Sequence, residues 1–182
     1  VTRGPGAANA MSGLHVAQQD STPLVMFLGL PASDHEDREA FQEIETKSLF
    51  STFVKWVAVI RQTERIPEYV SRAFHVAMSG RPGPVVLGLP EDMLSAMAAA
   101  IDAKPAQVAA PAPTAADLAQ LQTMLNAAER PLMIVGGPGW SAAVQKQVEA
   151  FADRHNLPVA SAFRYQDYFD NRHRCYAGVA GI

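Results

Sequence analysis

The sequence has little cysteine, no long apolar stretch and no excess of one charge, and each absence excludes a class of protein. Cys175 is the only cysteine among the 182 residues, which excludes an internal disulfide framework and a cysteine-based structural zinc site. No window of about 18 apolar residues occurs, and residues 1–10 lack the basic and apolar regions of a signal peptide. We therefore predict a cytoplasmic protein that has no membrane partner.

Charge and histidine spacing narrow the possibilities further. Lys and Arg together number 15 against 18 Asp and Glu, and no run of like charge stands out, so we predict no nucleic-acid partner. Because the histidines show no pair at metal-ligand spacing and no accompanying cysteine, we predict no metal ligand in this chain. The histidines are His15, His35, His75, His155 and His173.

Hydrophobic patterning alternates between strand and helix in the first half of the chain. The apolar runs 24–29 and 84–90 are typical of strands that are buried on both faces, and residues 53–60 form a further candidate strand. Helical spacing marks 7–19, directly after a predicted Gly4-Pro5-Gly6 turn. The same spacing marks 66–78, with Gly80 as the expected left-handed stop. This order predicts α/β units with mainly parallel sheets and helices on both faces.

An Ala/Pro-rich stretch separates two such regions. Residues 96–113 predict an extended linker between a first domain, 1–95, and a second domain, 114–182. In the second domain, Thr114 is a candidate N-cap for a helix that continues to Glu129. A strand and glycine turn (131–137), an amphipathic helix (141–155) and a strand (157–160) follow it. We therefore predict two partial three-layer α/β/α units.

Several sequence strings occur in a characteristic order. They are Thr2 to Asn9 (TRGPGAAN), Gln19 to Leu24 (QDSTPL), Ala40 to Glu43 (AFQE), Ser79 to Val85 (SGRPGPV) and Pro131 to Gly137 (PLMIVGG). Together they resemble the later part of the pyrimidine-binding domain and the start of the central domain of thiamine-diphosphate-dependent enzymes of the acetolactate synthase-like superfamily. The resemblance covers nearly the whole chain.

The resemblance implies an enzyme of the lyase or transferase type. It implies a parent protein that makes or breaks a carbon–carbon bond next to a carbonyl, by decarboxylation of a 2-oxo acid or by carboligation as in acetolactate synthase. Thiamine diphosphate and Mg²⁺ are the implied cofactors, a small 2-oxo acid or aldehyde is the implied substrate, and a homo-oligomer (dimer or tetramer) is the implied assembly. Both ends of the chain look cut, and the family's activating glutamate is expected before Val1, so we expect this piece alone to be inactive.

The glycine-rich string supplies the candidate cofactor-binding residues. In the family, the matching loop approaches the pyrimidine end of the cofactor, which implies this role for Gly4, Pro5, Gly6 and Asn9. Glycine suits such a loop because it lets the backbone come close to a ligand. The alternative is an ordinary strand-to-helix turn in which Asn9 is a local capping group.

Gln42 and Lys55 are the candidate catalytic residues. Phe41 and Gln42 match a pair that faces the active-site cleft in acetolactate synthases, and Lys55 matches a lysine near the substrate channel. The alternatives are a core position for Phe41, a surface position for Gln42 and a solvated charge for Lys55. Ser51 stands where the family's flavin-binding arginine is expected, so FAD binding is not carried over.

A non-catalytic module is the competing interpretation. Glycine turns after strands can hold a nucleotide phosphate, and Gly136, Gly137 and Gly139 form such a turn. A basic, aromatic patch near the C-terminal end could bind a flavin or coenzyme A, but such a patch more often marks an interface or loop. Its residues are Arg164, Arg172, Arg174, Tyr165, Tyr168 and Tyr176. The chain could then bind a nucleotide or support subunit contacts without catalysing a reaction.

Overall fold

The computed structural model describes residues 1–181, and the chain forms two compact units divided between Ala109 and Ala110. The finer domain bounds 1–95, 96–113 and 114–182 stay a prediction. Among the described residues, no helix has both the length and the apolar character needed to cross a membrane.

Seven helices and strands build the first unit. In chain order they are α1 (Arg3–Gln19), β1 (Leu24–Leu30), α2 (Thr46–Phe50), β2 (Trp56–Val59), α3 (Ile66–Met78), β3 (Pro84–Pro90) and α4 (Glu91–Ser95). The strands form a parallel sheet in the order β1-β3-β2. The predicted α/β class with parallel pairing is confirmed.

Helices cover both faces of this sheet. Val86 lies in a core cluster with Leu14 of α1, whereas Val85 and Leu87 lie in a second cluster with Ala73 of α3. Neighbouring residues of a strand point to opposite faces, so the continuous apolar run of β3 is buried on both sides. This is the three-layer arrangement that the sequence predicts.

The three strands of the first unit end at one edge of the sheet, here called the carboxyl edge, and begin at the opposite, amino edge. Helix α1 runs back along β1, and Thr2, just before α1, forms a parallel bridge with Gly29 near the end of β1. The Gly4 N–H donates to the Gln42 carbonyl over 2.9 Å. The start of α1 therefore lies at the carboxyl edge.

Two predicted boundaries in the first unit are wrong. Helix α1 begins at Arg3, so Gly4-Pro5-Gly6 is its first turn rather than a turn before it. Proline is tolerated there because its missing N–H falls among the groups that a helix start leaves unpaired. Strand β2 covers only Trp56–Val59, because the preceding residues form a turn in which Phe53 packs edge-on against Phe50.

Other local predictions are confirmed. Helix α3 and strand β3 have the predicted bounds, and Gly80 is left-handed, with φ of 57°. Thr114 caps the next helix in a capping box with Asp117, although that helix ends at Ala127 rather than Glu129.

The second unit contains α5 (Ala115–Ala127), β4 (Met133–Val135), α6 (Ala142–His155), β5 (Val159–Ala162) and β6 (Tyr176–Ala180). Its strands are parallel, in the order β4-β5-β6. Ala152 of α6 lies in the core with Val135 and Val159, whereas α5 has no buried residue. Strand β6 was not predicted from the sequence, and it pairs with β5.

Candidate functional site

A cleft of about 490 Å³ lies at the carboxyl edge of the first sheet. The last residues of the strands, Leu30, Val59 and Pro90, line it together with much of the segment 31–47. Ligands of open α/β sheets bind beyond the carboxyl ends of the strands. The cleft is therefore in a position that suits a ligand site.

The charged side chains of this cleft are mainly acidic. Two cations, Lys47 and Arg61, face five carboxylates. The carboxylates are those of Glu36, Asp37, Glu39, Glu43 and Glu45. Phe41 and Gln42 do not line the cleft, so the predicted Gln42 site and this cleft are different places on the same edge.

The segment that lines the cleft has an unusual backbone. Asp37, Glu39 and Gln42 are left-handed, with φ of 62°, 54° and 62°. For residues other than glycine, this conformation costs about 1–3 kcal/mol each and occurs preferentially at functional sites. The surrounding contacts must hold the segment in this form.

Glu43 supplies two of those contacts. Its carboxylate accepts the N–H of Asp37 over 2.7 Å and the N–H of Ala40 over 2.8 Å. These two hydrogen bonds hold the pKa of Glu43 below its usual value. An ionised carboxylate that accepts two backbone N–H groups fixes the path of the chain between them.

Two arginines hold the segment from outside. Arg61 donates to both carboxylate oxygens of Glu36, over 2.5 and 2.6 Å, and these bonds lower the pKa of Glu36. Arg3 pairs with Glu91 over 2.9 Å and donates to the Phe41 carbonyl over 3.4 Å. The segment is thus connected to β2, to α1 and to the residue after β3.

The predicted cofactor-binding residues all lie in the first two turns of α1. A Cβ on Gly4 would lie 2.7 Å from Ile44 Cγ2 and 3.0 Å from the Gln42 carbonyl oxygen. Position 4 therefore requires glycine because the segment that contains Gln42 and Ile44 packs directly against it. Pro5 and Asn9 are exposed, and α1 has no side-chain cap, so Asn9 does not cap the helix.

Phe41 and Gln42 lie beside the start of α1. Phe41 is 76% exposed, which excludes the core position, and Gln42 is half-buried. The Gln42 carbonyl satisfies the Gly4 N–H, one of the groups that a helix start leaves unpaired. The structure thus brings Gly4 and Gln42 together, although the sequence separates them by a strand.

Lys55 lies at the amino edge, far from Gln42 along the strands. Its Nζ donates to the Val76 carbonyl and, over 2.6 Å, to the Ser79 carbonyl. Burial lowers the pKa of Lys55. Because the C-terminus of a helix leaves carbonyls without partners, the ammonium group caps α3. The structure does not bring Lys55 to the other candidate residues.

In the second unit, Asp153, His173 and Cys175 place their ligand-type atoms within 4.8 Å of one another. The prediction of no metal ligand overlooked this group: Cys175 is two residues after His173, and Asp153 joins them only in the folded chain. His173 Nδ1 accepts the Cys175 N–H over 3.2 Å, so the ring proton is on Nε2 and faces Asp153 at 3.4 Å. A metal ion on Nε2 would require the ring proton on Nδ1. That proton would then face the Cys175 N–H, which Nδ1 accepts in the structure. The geometry therefore favours a contact between the His173 ring and the Asp153 carboxylate over a metal site.

The glycine turn after β4 packs tightly against aromatic side chains. A Cβ on Gly136 would lie 2.9 Å from Ala162 Cβ and 3.2 Å from Tyr165 Cδ2. Trp140 Nε1 donates to the Gly136 carbonyl over 3.1 Å, and its ring lies 4.8 Å from that of Tyr168. Packing thus accounts for glycine at position 136 without a nucleotide.

Two family profiles match the chain. The profile described as the N-terminal TPP binding domain of thiamine pyrophosphate enzymes matches residues 1–49. The profile described as the central domain of thiamine pyrophosphate enzymes matches residues 118–182. Thiamine pyrophosphate is another name for thiamine diphosphate. The two matches occur in the order that the sequence strings predict.

Individual proteins extend the match over the whole chain. An acetolactate synthase from Arthrospira platensis is 32% identical over 100% of this chain and 32% of its own length. An acetolactate synthase isozyme 3 large subunit from Escherichia coli (strain K12) is 35% identical over 100% of this chain and 33% of its own length. The chain thus spans about a third of each relative.

A solved structure has the same fold. Benzoylformate decarboxylase from Polynucleobacter necessarius superposes with a TM-score of 0.84 and 28% identity, over 98% of this chain and 34% of that protein. Together, the profiles, the relatives and this structure identify the chain as a member of the thiamine pyrophosphate enzymes, in the acetolactate synthase-like superfamily.

Proposed function

We propose that the whole protein makes or breaks a carbon–carbon bond next to a carbonyl. The reaction is either decarboxylation of a 2-oxo acid or carboligation as in acetolactate synthase. The match to two successive domains of thiamine pyrophosphate enzymes carries this proposal, and relatives named acetolactate synthase and benzoylformate decarboxylase support it. Those names do not favour the alternative of a nucleotide-binding or assembly module.

We propose that the residues at the start of α1 hold the pyrimidine end of thiamine diphosphate. When bound, that cofactor supplies the carbanion chemistry, and the protein supplies orientation and electrostatics. In this proposal Pro5 and Asn9 offer an exposed surface on α1, and Gly6 keeps that surface open because it has no side chain. The absence of a side chain at Gly4 lets the adjoining segment lie close to α1. Mg²⁺ belongs to the proposal for the whole protein, and we place no ligand for it in residues 1–181.

Gln42 is the group that we propose to contact the substrate. Its amide can both donate and accept hydrogen bonds without carrying charge. A 2-oxo acid is an anion, and the neighbouring cleft has five carboxylates against two cations, so Coulomb repulsion disfavours the cleft as the substrate site. We therefore place the substrate on the α1 side of the segment.

Turnover by the full-length protein that contains this chain tests the proposal. With thiamine diphosphate, Mg²⁺ and pyruvate, we expect CO₂ release or acetolactate, and we expect no turnover from residues 1–182 alone. Gln42→Ala should lower kcat/KM by about 10²-fold, because productive orientation would be lost. Gln107→Ala, an exposed glutamine in the linker, is the matched control. A full-length protein that neither binds the cofactor nor converts any 2-oxo acid contradicts the proposal.

We also propose a cytoplasmic homo-oligomer, a dimer or tetramer. Helix α1 has no charged residue between Gly4 and Gln19, and Val16 is 44% exposed, which suits a subunit contact. Light scattering on the full-length protein tests this, and a monomer at micromolar concentration contradicts it.

A further inference from the structure

The strained segment needs a support that the core does not provide. Asp37, Glu39 and Gln42 are left-handed, and the side chains of Asp37 and Glu39 are exposed. Residues 36–43 contribute nothing to the hydrophobic clusters of the first unit. Polar contacts must therefore keep this backbone in one conformation.

We propose that Glu43 is a positioning residue for the reaction, and that it acts by holding the backbone that presents Gln42 beside the start of α1. The inference rests on the proposed function. The carboxylate of Glu43 accepts backbone N–H groups from Asp37 and Ala40, six and three residues earlier. It closes residues 37–43 into a loop that includes Gln42, the residue directly before Glu43.

Glu43 is connected to the start of α1 through both of its neighbours. The Gln42 carbonyl accepts the Gly4 N–H over 2.9 Å, and Ile44 lies against Gly4 so closely that a Cβ there would be only 2.7 Å away. A shift of the Glu43 backbone therefore moves both contacts. The Glu43 side chain lines the acidic cleft, which Gln42 does not line, so Glu43 acts through the backbone rather than on the substrate.

Glutamine cannot replace this carboxylate. A carboxylate accepts at both oxygens, whereas an amide has one accepting oxygen and one donating nitrogen. In Glu43→Gln, one of the two backbone N–H groups would therefore face another donor. The loop would lose one of the two bonds made by this side chain, whereas the bond from the Glu43 N–H to the Ala40 carbonyl, 2.9 Å long, and the core would be unchanged.

The test uses the full-length protein with thiamine diphosphate, Mg²⁺ and pyruvate. We expect Glu43→Gln to lower kcat by about 10²-fold, as a small misplacement of a reacting group does, with KM and the thermal midpoint close to those of the parent. Glu43→Asp keeps the charge and should be intermediate. Glu64→Gln, an exposed glutamate outside the segment, is the matched control and should equal the parent.

A double variant shows whether Glu43 acts through Gln42. We expect the variant with both Glu43→Gln and Gln42→Ala to be no slower than Gln42→Ala alone, because effects on one shared unit are not additive. Losses that multiply would overturn the inference, as would full activity in Glu43→Gln. If the parent itself is inactive, the proposed function fails. An active parent with an active Glu43→Gln variant contradicts this inference alone.

Amide exchange gives a readout that does not depend on turnover. Glu43→Gln should speed hydrogen exchange at Asp37, Ala40 and Gly4, because each of these N–H groups bonds within the segment or to it. Exchange in β3 should be unchanged. Unchanged exchange at all three amides would overturn the inference.

Discussion

The two edges of the first sheet satisfy their polar groups in opposite ways. At the amino edge, cations donate to the last carbonyls of helices: Lys55 caps α3, and Arg81 donates to the Gln18 and Gln19 carbonyls at the end of α1. At the carboxyl edge, the Glu43 carboxylate accepts N–H groups from a strained loop. The amino edge complements the helix dipoles and has one left-handed residue other than glycine, Ser21. The carboxyl edge has three such residues within the segment 37–42, which is strain of the kind found at functional sites.

The second unit also has a cation that caps the C-terminal end of a helix. Helix α6 ends at left-handed Asn156. Arg174 donates to the Asp153 carbonyl over 2.7 Å and to the Asn156 side chain over 2.8 Å. Cationic capping is therefore a general part of this scaffold, and no equivalent of the strained segment is seen among the described residues of the second unit.

Removing the amino-edge cation should have the largest effect on stability. Lys55→Met leaves the Val76 and Ser79 carbonyls without their donor, which costs about 1–3 kcal/mol of unfolding free energy. Urea unfolding measures this loss, with Lys104→Met in the exposed linker as the control. If Lys55→Met is as stable as the parent, the capping role is wrong.

Adding a methyl group at the carboxyl edge should have a smaller effect. Gly4→Ala would press on Ile44 and the Gln42 carbonyl. Such overpacking costs about 1–3 kcal/mol in a rigid core, and the net loss here should be less because the exposed segment can relax. Gly13, in the same helix, has no atom within 4 Å of an added Cβ. Gly13→Ala should therefore stabilise the protein by about 0.5–1 kcal/mol.

Thermal unfolding of this matched pair compares two methyl additions in one helix. Opposite signs are expected, because only Gly4 is in close contact with the segment. Stabilisation by both substitutions would show that the segment does not pack against α1 as described.

Lowering the pH should weaken the contacts at the carboxyl edge before it destabilises the rest of the first unit. The Arg61 bond lowers the pKa of Glu36, and two backbone bonds lower that of Glu43. Each carboxylate has a lower pKa in the folded protein than in the unfolded chain, where the pKa of Glu is 4.5. Its contribution to the free energy of unfolding is therefore present above pH 4.5 and is lost as the pH falls through the folded pKa. The effect is small because Glu36 is exposed and Glu43 is only half-buried.

Denaturant midpoints from neutral pH down to acid pH measure this loss. The variant with Glu36→Gln and Glu43→Gln should show a shallower fall below pH 4.5 than the parent. Parallel curves for the two proteins would mean that these carboxylates do not stabilise the edge.

Local signals in the sequence were enough for part of the fold. Periodicity predicted α3, and the capping pattern predicted Thr114, because both depend on residues within one or two turns. The start of α1 was missed because Gly4-Pro5-Gly6 is usually a turn, and its helical form depends on contacts with Gly29 and Gln42. Strand β6 was missed because small residues rather than an apolar run form it.

The sequence predicted residues of the candidate site only where they belong to strings that resemble those of the family. Gly4 and Gln42 belong to separate strings, and the structure places them in contact; their roles in binding and catalysis stay predictions. Glu43 is part of one string, but its backbone partners could not be read from residue spacing. Lys55 bonds to carbonyls 21 and 24 residues later in the chain. Only the folded structure shows a contact between residues so far apart in the sequence.

The most direct test measures kcat/KM and the thermal midpoint of full-length Gln42→Ala and Lys55→Met side by side. The account predicts that Gln42→Ala loses about 10²-fold in kcat/KM at an unchanged midpoint, and that Lys55→Met lowers the midpoint while the remaining folded enzyme keeps its kcat/KM. The reverse pattern, with an inactive but fully stable Lys55→Met and an active Gln42→Ala, would contradict it.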